Sequence, residues 1–194
     1  MKAAILTGLT TAILMANSMP GHTADSYKID QDHAWVNFAV NHAGWSSALG
    51  KFGKVTGEII FDKDDVTKSS VKVEIDAASI DTNFVDRDKD LNSPDFLNTA
   101  EFPAIAFAST AVEKTGEKTG KITGNLTIIG VTKPVQIDVV WNAEQPRPWD
   151  STAIVSGFSA KAVVKSADFG MGKVAEYGLG PDISVMIEIE AQKQ

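Results

Sequence analysis

The chain has 194 residues, a formal net charge of −7 at pH 7 and no cysteine. The acidic balance argues against a polyanion-binding role, because such a surface repels nucleic acid and anionic membrane at long range. The absence of thiols excludes disulfides and thiolate chemistry, so the fold rests on its core and its sheet closure alone. In chain order, Lys2, the apolar run Ala3 to Ala16 and the polar stretch Asn17 to Ala24 have the layout of a secretory signal peptide over residues 1–24, cut after Ala24. The apolar run is too short for a comfortable bilayer span, and no other stretch approaches one, so no stable membrane insertion is expected. Residues 25–194 then form one exported domain.

Most of that domain reads as strand. Alternating apolar and polar positions mark Ala34–Val40, Val55–Asp62, Val71–Asp76, Pro103–Val112, Lys121–Ile129, Val135–Trp141, Ile154–Val164 and Ile183–Ile189. Eight antiparallel strands of this length close as a barrel or stack as a sandwich, and closure removes exposed edges. Eight strands leave an interior either filled by side chains or wide enough for one small ligand, and periodicity alone does not choose. One segment, about residues 84–98, lacks alternation. There Phe84, Leu91, Phe96 and Leu97 are spaced for helix, Asp81 or Asn83 is placed to cap a first helix, and Ser93-Pro94 reads as a second start. Such a segment either packs on the barrel wall or covers a mouth. The row Ala104, Ala106 and Ala108 shares one parity and suits close approach by those helices.

Catalytic and metal chemistry find little purchase. His33 and His42 are too few for a typical zinc site and stand on opposite faces of an uninterrupted strand. Asp86-Arg87-Asp88-Lys89-Asp90 mimics the start of a calcium loop, but the sixth position is Leu91 and the twelfth Leu97, not glycine and glutamate. Gly157-Phe158-Ser159-Ala160-Lys161 lacks the second glycine of a nucleophile elbow and sits mid-strand. Gly170-Met171-Gly172-Lys173 lacks the spacing of a phosphate loop.

Several motifs recur in one order. Gly124-Asn125-Leu126-Thr127-Ile128-Ile129-Gly130-Val131-Thr132-Lys133-Pro134-Val135 resembles the signature hairpin of the YceI family. Tyr27-Lys28-Ile29-Asp30 with His33-Ala34-Trp35-Val36-Asn37-Phe38 resembles the family's opening. Ser79-Ile80-Asp81-Thr82-Asn83, Arg87-Asp88, Leu91, Ser93, Asp95-Phe96-Leu97 and the late Asp168-Phe169-Gly170 follow in the family's order. Two positions depart from it: Asp90 stands where histidine is common, and Ser166 where many members have arginine. If those positions touch a head group, the preferred head group differs here.

The resemblance implies a mainly β, eight-stranded antiparallel lipocalin-like barrel with a short helical segment beside or over it. It also implies an exported, non-enzymatic binding protein. Its lumen would hold a long apolar chain such as an isoprenoid quinone, a polyprenyl phosphate or a fatty amide, and no other cofactor. Candidate wall residues are Trp35, Phe38, Phe52, Phe61, Phe84, Phe96, Phe107, Phe158 and Phe169. Candidate head-group contacts are His33, Asn83, Arg87 and Lys165. A membrane redox partner and a homodimer are further partner expectations. Two rival classes stand beside the carrier: an enzyme acting on a small lipid or quinone through His33 or His42, and a solid-cored interaction module docking on that redox partner.

Overall fold

The computed structural model describes residues 23–194; the expected leader lies almost wholly outside them. Ten strands run in chain order: β1 (Asp25–His42), β2 (Ser46–Phe52), β3 (Val55–Phe61), β4 (Ser70–Asp76), β5 (Ile80–Asp81), β6 (Ala104–Lys114), β7 (Thr119–Ile128), β8 (Val131–Arg147), β9 (Asp150–Lys165) and β10 (Leu179–Lys193). All pairings are antiparallel, and β1 closes on β10 with Phe38 opposite Val185 and Val36 opposite Ile187. Two courses of the barrel are broken. The beginning of β1 pairs with β3 (Asp25 opposite Phe61) and its end with β2 (Val36 opposite Phe52). Likewise β4 pairs with β3 and the short β5 with β2. Counting β2 with β3 and β4 with β5 gives an eight-course closed barrel: the alternation predicted the eight courses, and the family resemblance their closure. The breaks fall at Gly53-Lys54 and at the 3-10 turn Ala77–Ser79. β5 is only two residues long, and in β2 the outward Leu49 stands among Ala48, Gly50 and Phe52 of the other parity and spoils the alternation, which is why both are absent from the sequence reading.

The β7–β8 hairpin shows how local chemistry sets register. Ile129 and Gly130 both have positive φ, 43° and 73°. A two-residue turn of that kind matches the right-handed twist of its flanking strands. Gly130 has a second reason to be glycine: a Cβ there would stand 2.8 Å from Phe102 Cε1. Pro134 lies opposite Asn125, while β8 pairs with β9 only from Asp138 onward, so its missing N–H costs no ladder bond.

The helical segment is shorter than expected. Only α1 (Val85–Asn92) is helix. Ser93-Pro94 starts no second one, because the Ser93 carbonyl accepts from the N–H groups of Phe96 and Asn98 and closes a turn. That turn drops Phe96 and Leu97 into the core. Neither Asp81 nor Asn83 caps α1. Phe84 is the N-cap and makes no side-chain bond, Asp81 accepts from the Asn83 N–H, and Asn83 sits at φ +60°. Asp88 instead reaches back from the first turn and accepts from the N–H and hydroxyl of Thr82.

Two hydrophobic clusters fill the ends of the barrel. The lower one gathers Tyr27, Ile29, Val55, Ile59, Phe61 and Ala191 where β1 begins and β10 ends. The upper one gathers Phe96, Leu97, Ile105, Ile128, Phe169 and Val174 beneath α1 and the 3-10 turns that follow β9. Ala104, Ala106 and Ala108 face outward from β6, and α1 lies across the upper mouth, not against them.

Candidate ligand-binding lumen

Between the two clusters the barrel is hollow. The cavity measures about 630 Å³ and is lined almost entirely by apolar side chains from the inner parity of the strands. Val36, Phe38 and Val40 come from β1, Val71, Val73 and Ile75 from β4, and Ile183, Val185, Ile187 and Ile189 from β10. From β9 come Phe158, Ala160, Ala162 and Val164, and the two alanines hold the wall back from the axis. The aromatics form two groups. Phe38 and Phe52 have ring centroids 5.8 Å apart. Phe61 stands edge-on to both Trp141 and Phe158 at 5.4 Å. Ser156, on the same parity of β9 as these wall residues, is fully buried and accepts a 3.0 Å bond from Trp141 Nε1, so it is satisfied without a ligand.

The two ends differ in charge. At the upper mouth α1 contributes Asp86, Arg87 and Asp90, with His42 and Tyr177 nearby on the cavity wall. Arg87 is pinned, its Nε donating to Thr82 Oγ1 at 2.8 Å and its Nη2 to the Thr82 carbonyl at 2.7 Å. The lower end carries lysines. Lys63 Nζ lies 2.6 Å from Glu144 Oε1, and Lys118 Nζ donates to the Asn142 carbonyl at 3.1 Å. Below the lumen the fully buried Tyr27 donates its hydroxyl to Glu144, and Lys193 and Lys63 both pair with Asp25.

This floor network shifts its own protonation. Burial, reinforced by the Glu144 carboxylate, pushes the Tyr27 phenol far above its ordinary value. The bond to Glu144 raises the Lys63 ammonium despite partial burial. Above about pH 10 the unfolded chain releases both protons while the folded protein keeps them, so stability should fall as pH rises through that value. Tyr27→Phe should flatten this alkaline limb in urea midpoints measured from about pH 8 to about pH 11. An unchanged slope would remove Tyr27 from the account. On the acid side, burial raises Glu144, but the Lys63 and Tyr27 donors outweigh it and leave the carboxyl below its ordinary value. Its contribution is therefore present above the usual carboxylate range and lost as pH falls through the depressed value.

The candidate residues divide by parity and height. Phe38, Phe52, Phe61, Phe84, Phe96, Phe107 and Phe158 all line the lumen, as does Arg87 at its mouth. Trp35 does not. With Val36 and Phe38 facing in, the pleat turns Trp35 outward, 48% exposed, with the Lys51 ammonium 5.7 Å from its ring centroid. Phe169 is buried in the upper cluster as a plug, not on the cavity wall. His33 sits outside the barrel on the bulge between Ile29 and Ala34, where its Nδ1 is 3.1 Å from Asp30 Oδ2, an oxygen that also accepts from Arg147. Asn83 is an exposed turn residue, and Lys165 ends β9 facing outward beside Lys133 and Asp168. Ser166, at the second departure from the family pattern, is buried and bonds the Pro181 carbonyl, whereas Asp90 is on the mouth. Sequence reasoning passed over Trp141, although its parity with Val135, Ile137 and Val139 marks it as inward, and treated Asp86 and Asp90 as part of a failed calcium-loop match. Among the described residues no group of three or more His, Asp or Glu is placed to hold a metal ion, and no helix is long and apolar enough to cross a membrane.

Comparison with known proteins agrees with this architecture. A family model, the YceI-like domain, matches residues 27–191. The chain belongs to the YceI family. Protein YceI of Escherichia coli O157:H7 is 39% identical over 199 residues, covering 100% of both chains. Among solved structures of this fold, BcnA of Burkholderia cenocepacia superposes with a TM-score of 0.75 at 19% identity, over 84% of this chain and 98% of that one. A polyisoprenoid-binding domain from Saccharophagus degradans gives a TM-score of 0.66 at 16% identity, over 89% of this chain and 100% of that one. The YceI-family barrel is thus shared by chains whose sequences have diverged widely.

Proposed function

We propose that this protein is an exported carrier, not an enzyme, which takes a long-chain isoprenoid or similar lipid, such as a polyprenyl chain or an isoprenoid quinone, into its lumen. It sequesters or moves that lipid through the aqueous periplasm. The observation that carries this reading is the apolar cavity of about 630 Å³ inside a closed barrel, a size within the usual range of roughly 300–1,000 Å³ for small-molecule sites. Each buried CH₂ contributes about 0.8 kcal/mol, so a chain of several isoprene units outweighs an association cost of about 4–15 kcal/mol. The fold shared with a polyisoprenoid-binding domain is consistent with that cargo. Exposed Trp45, Leu49, Phe84 and Tyr177 give the upper end an apolar surface over which a hydrocarbon chain can enter. The buried polar group on the β9 wall is bound to its neighbour, which suits a container better than a reaction centre.

The test is mass spectrometry of an organic extract from natively purified protein. A prenyl lipid near one per chain supports the carrier. A clean extract from folded protein, together with no uptake of added prenyl lipids, would replace it with the interaction module.

A further inference from the structure

The upper mouth presents one donor and two acceptors on the same short helix, and that pattern has a complement. Arg87 is held rigid from behind by Thr82, which is 7% exposed and whose own N–H is bound by Asp88 at 2.9 Å. The guanidinium also stands 5.7 Å from the Phe84 ring centroid. Nε and one N–H of Nη2 are engaged by Thr82; the remaining three of the five guanidinium donors are left for an oxygen at the mouth. Asp86 and Asp90 are four residues apart, so they share a face of α1, and both line the cavity. Neither side chain has a hydrogen bond or ion pair to another described residue. As carboxylates they only accept. One cation beside two anions gives the α1 side chains that line the mouth a negative balance.

We infer that the upper mouth selects an uncharged head group that both accepts and donates hydrogen bonds, an alcohol or a primary amide, and rejects a phosphate. The inference rests on the lumen reading above. The head-group oxygen accepts from Arg87, and its O–H or N–H donates to Asp86 or Asp90. A phosphate satisfies Arg87 but brings a charge of about −1.5 to −2 beside two carboxylates, and its dianion has no donor to offer them. At the lower end Lys63 and Lys118 are already bound to Glu144 and the Asn142 carbonyl, and Lys114, the third lysine of the lining, is accompanied there by Glu117.

The experiment measures dissociation constants of the purified full domain for four probes: squalene, which has no head group, geranylgeraniol, oleamide and geranylgeranyl monophosphate. At low salt the alcohol or the amide should bind at least about tenfold tighter than the monophosphate, and added salt should narrow the gap. The double variant Asp86→Asn/Asp90→Asn, which keeps the shape of the mouth, should bring the ratio below about threefold. The alcohol and amide arms tell which of the two head groups is preferred. Phosphate binding as tight as the alcohol, or a ratio unmoved in the double variant, overturns the inference. If squalene still binds in that case, the lumen reading stands without it. If no probe binds, squalene included, both readings fall together.

Discussion

Ala162→Trp should abolish lipid uptake while the protein stays folded. Ala162 faces the lumen from β9, level with Val185 on the neighbouring strand, and Ala160 lies one pleat away beside Val139 and Ile187. These two small side chains hold the wall back from the barrel axis. An indole projecting from Ala162 occupies the space that a hydrocarbon chain would take. Because that space is an existing void, the indole gains contacts without displacing packed neighbours. Thermal stability should hold or rise, while bound lipid per chain drops by about tenfold or more, a loss of at least about 1.4 kcal/mol of binding. Native mass spectrometry with a parallel melting curve reads both. A folded variant that still carries lipid at the original stoichiometry would place the cargo somewhere other than this cavity.

Tyr27→Ala should cost about 3–5 kcal/mol of stability, as large aromatic truncations in a core do. Tyr27 is completely buried and is the largest side chain in the structure with that degree of enclosure. Its ring closes the bottom of the barrel against the lower cluster, and its hydroxyl donates to Glu144, which Lys63 also binds. Truncation opens a cavity and removes one of the two donors that let Glu144 remain ionised in a half-closed site. Tyr27→Phe keeps the ring and loses only the hydroxyl, so it should cost about 1–3 kcal/mol. Urea titrations of both variants separate packing from hydrogen bonding. A loss below about 1 kcal/mol for the alanine variant would mean that the floor of the barrel relaxes around the gap.

The strands were legible because alternation is a local property. Each of the eight alternating segments became one course of the barrel, though some ends moved well outward: β1 begins at Asp25 and not Ala34, and β8 runs on to Arg147. The β7–β8 turn was legible because Gly130 and Pro134 are tied to particular backbone conformations. The helical segment was half legible. Apolar spacing placed α1 correctly, but Phe96 and Leu97, read as helix, reach the core through a turn instead. The site residues failed where parity was ignored or broken. Trp35 and Phe38 cannot both face inward on an unbroken strand, since they are an odd number of positions apart, and packing chose Phe38. His33 lies on a bulge whose position depends on pairing with a strand more than 150 residues away in the chain.

The sequence by itself determined the mainly β class, the eight alternating segments and their apolar face, because strand alternation, turn chemistry and the absence of a competing helix pattern act within a few residues; closure itself is made by the long-range pairing of β1 with β10. Only the tertiary structure decided that the barrel is hollow and that Asp86, Arg87 and Asp90 stand at its mouth. Hollowness depends on the summed volumes of side chains from eight courses around one axis, with Ala160 and Ala162 on one wall facing Phe38, Phe61 and Trp141 on others. The charge of the mouth depends on where a short helix comes to rest against Thr82, and neither quantity is carried by any single stretch of chain.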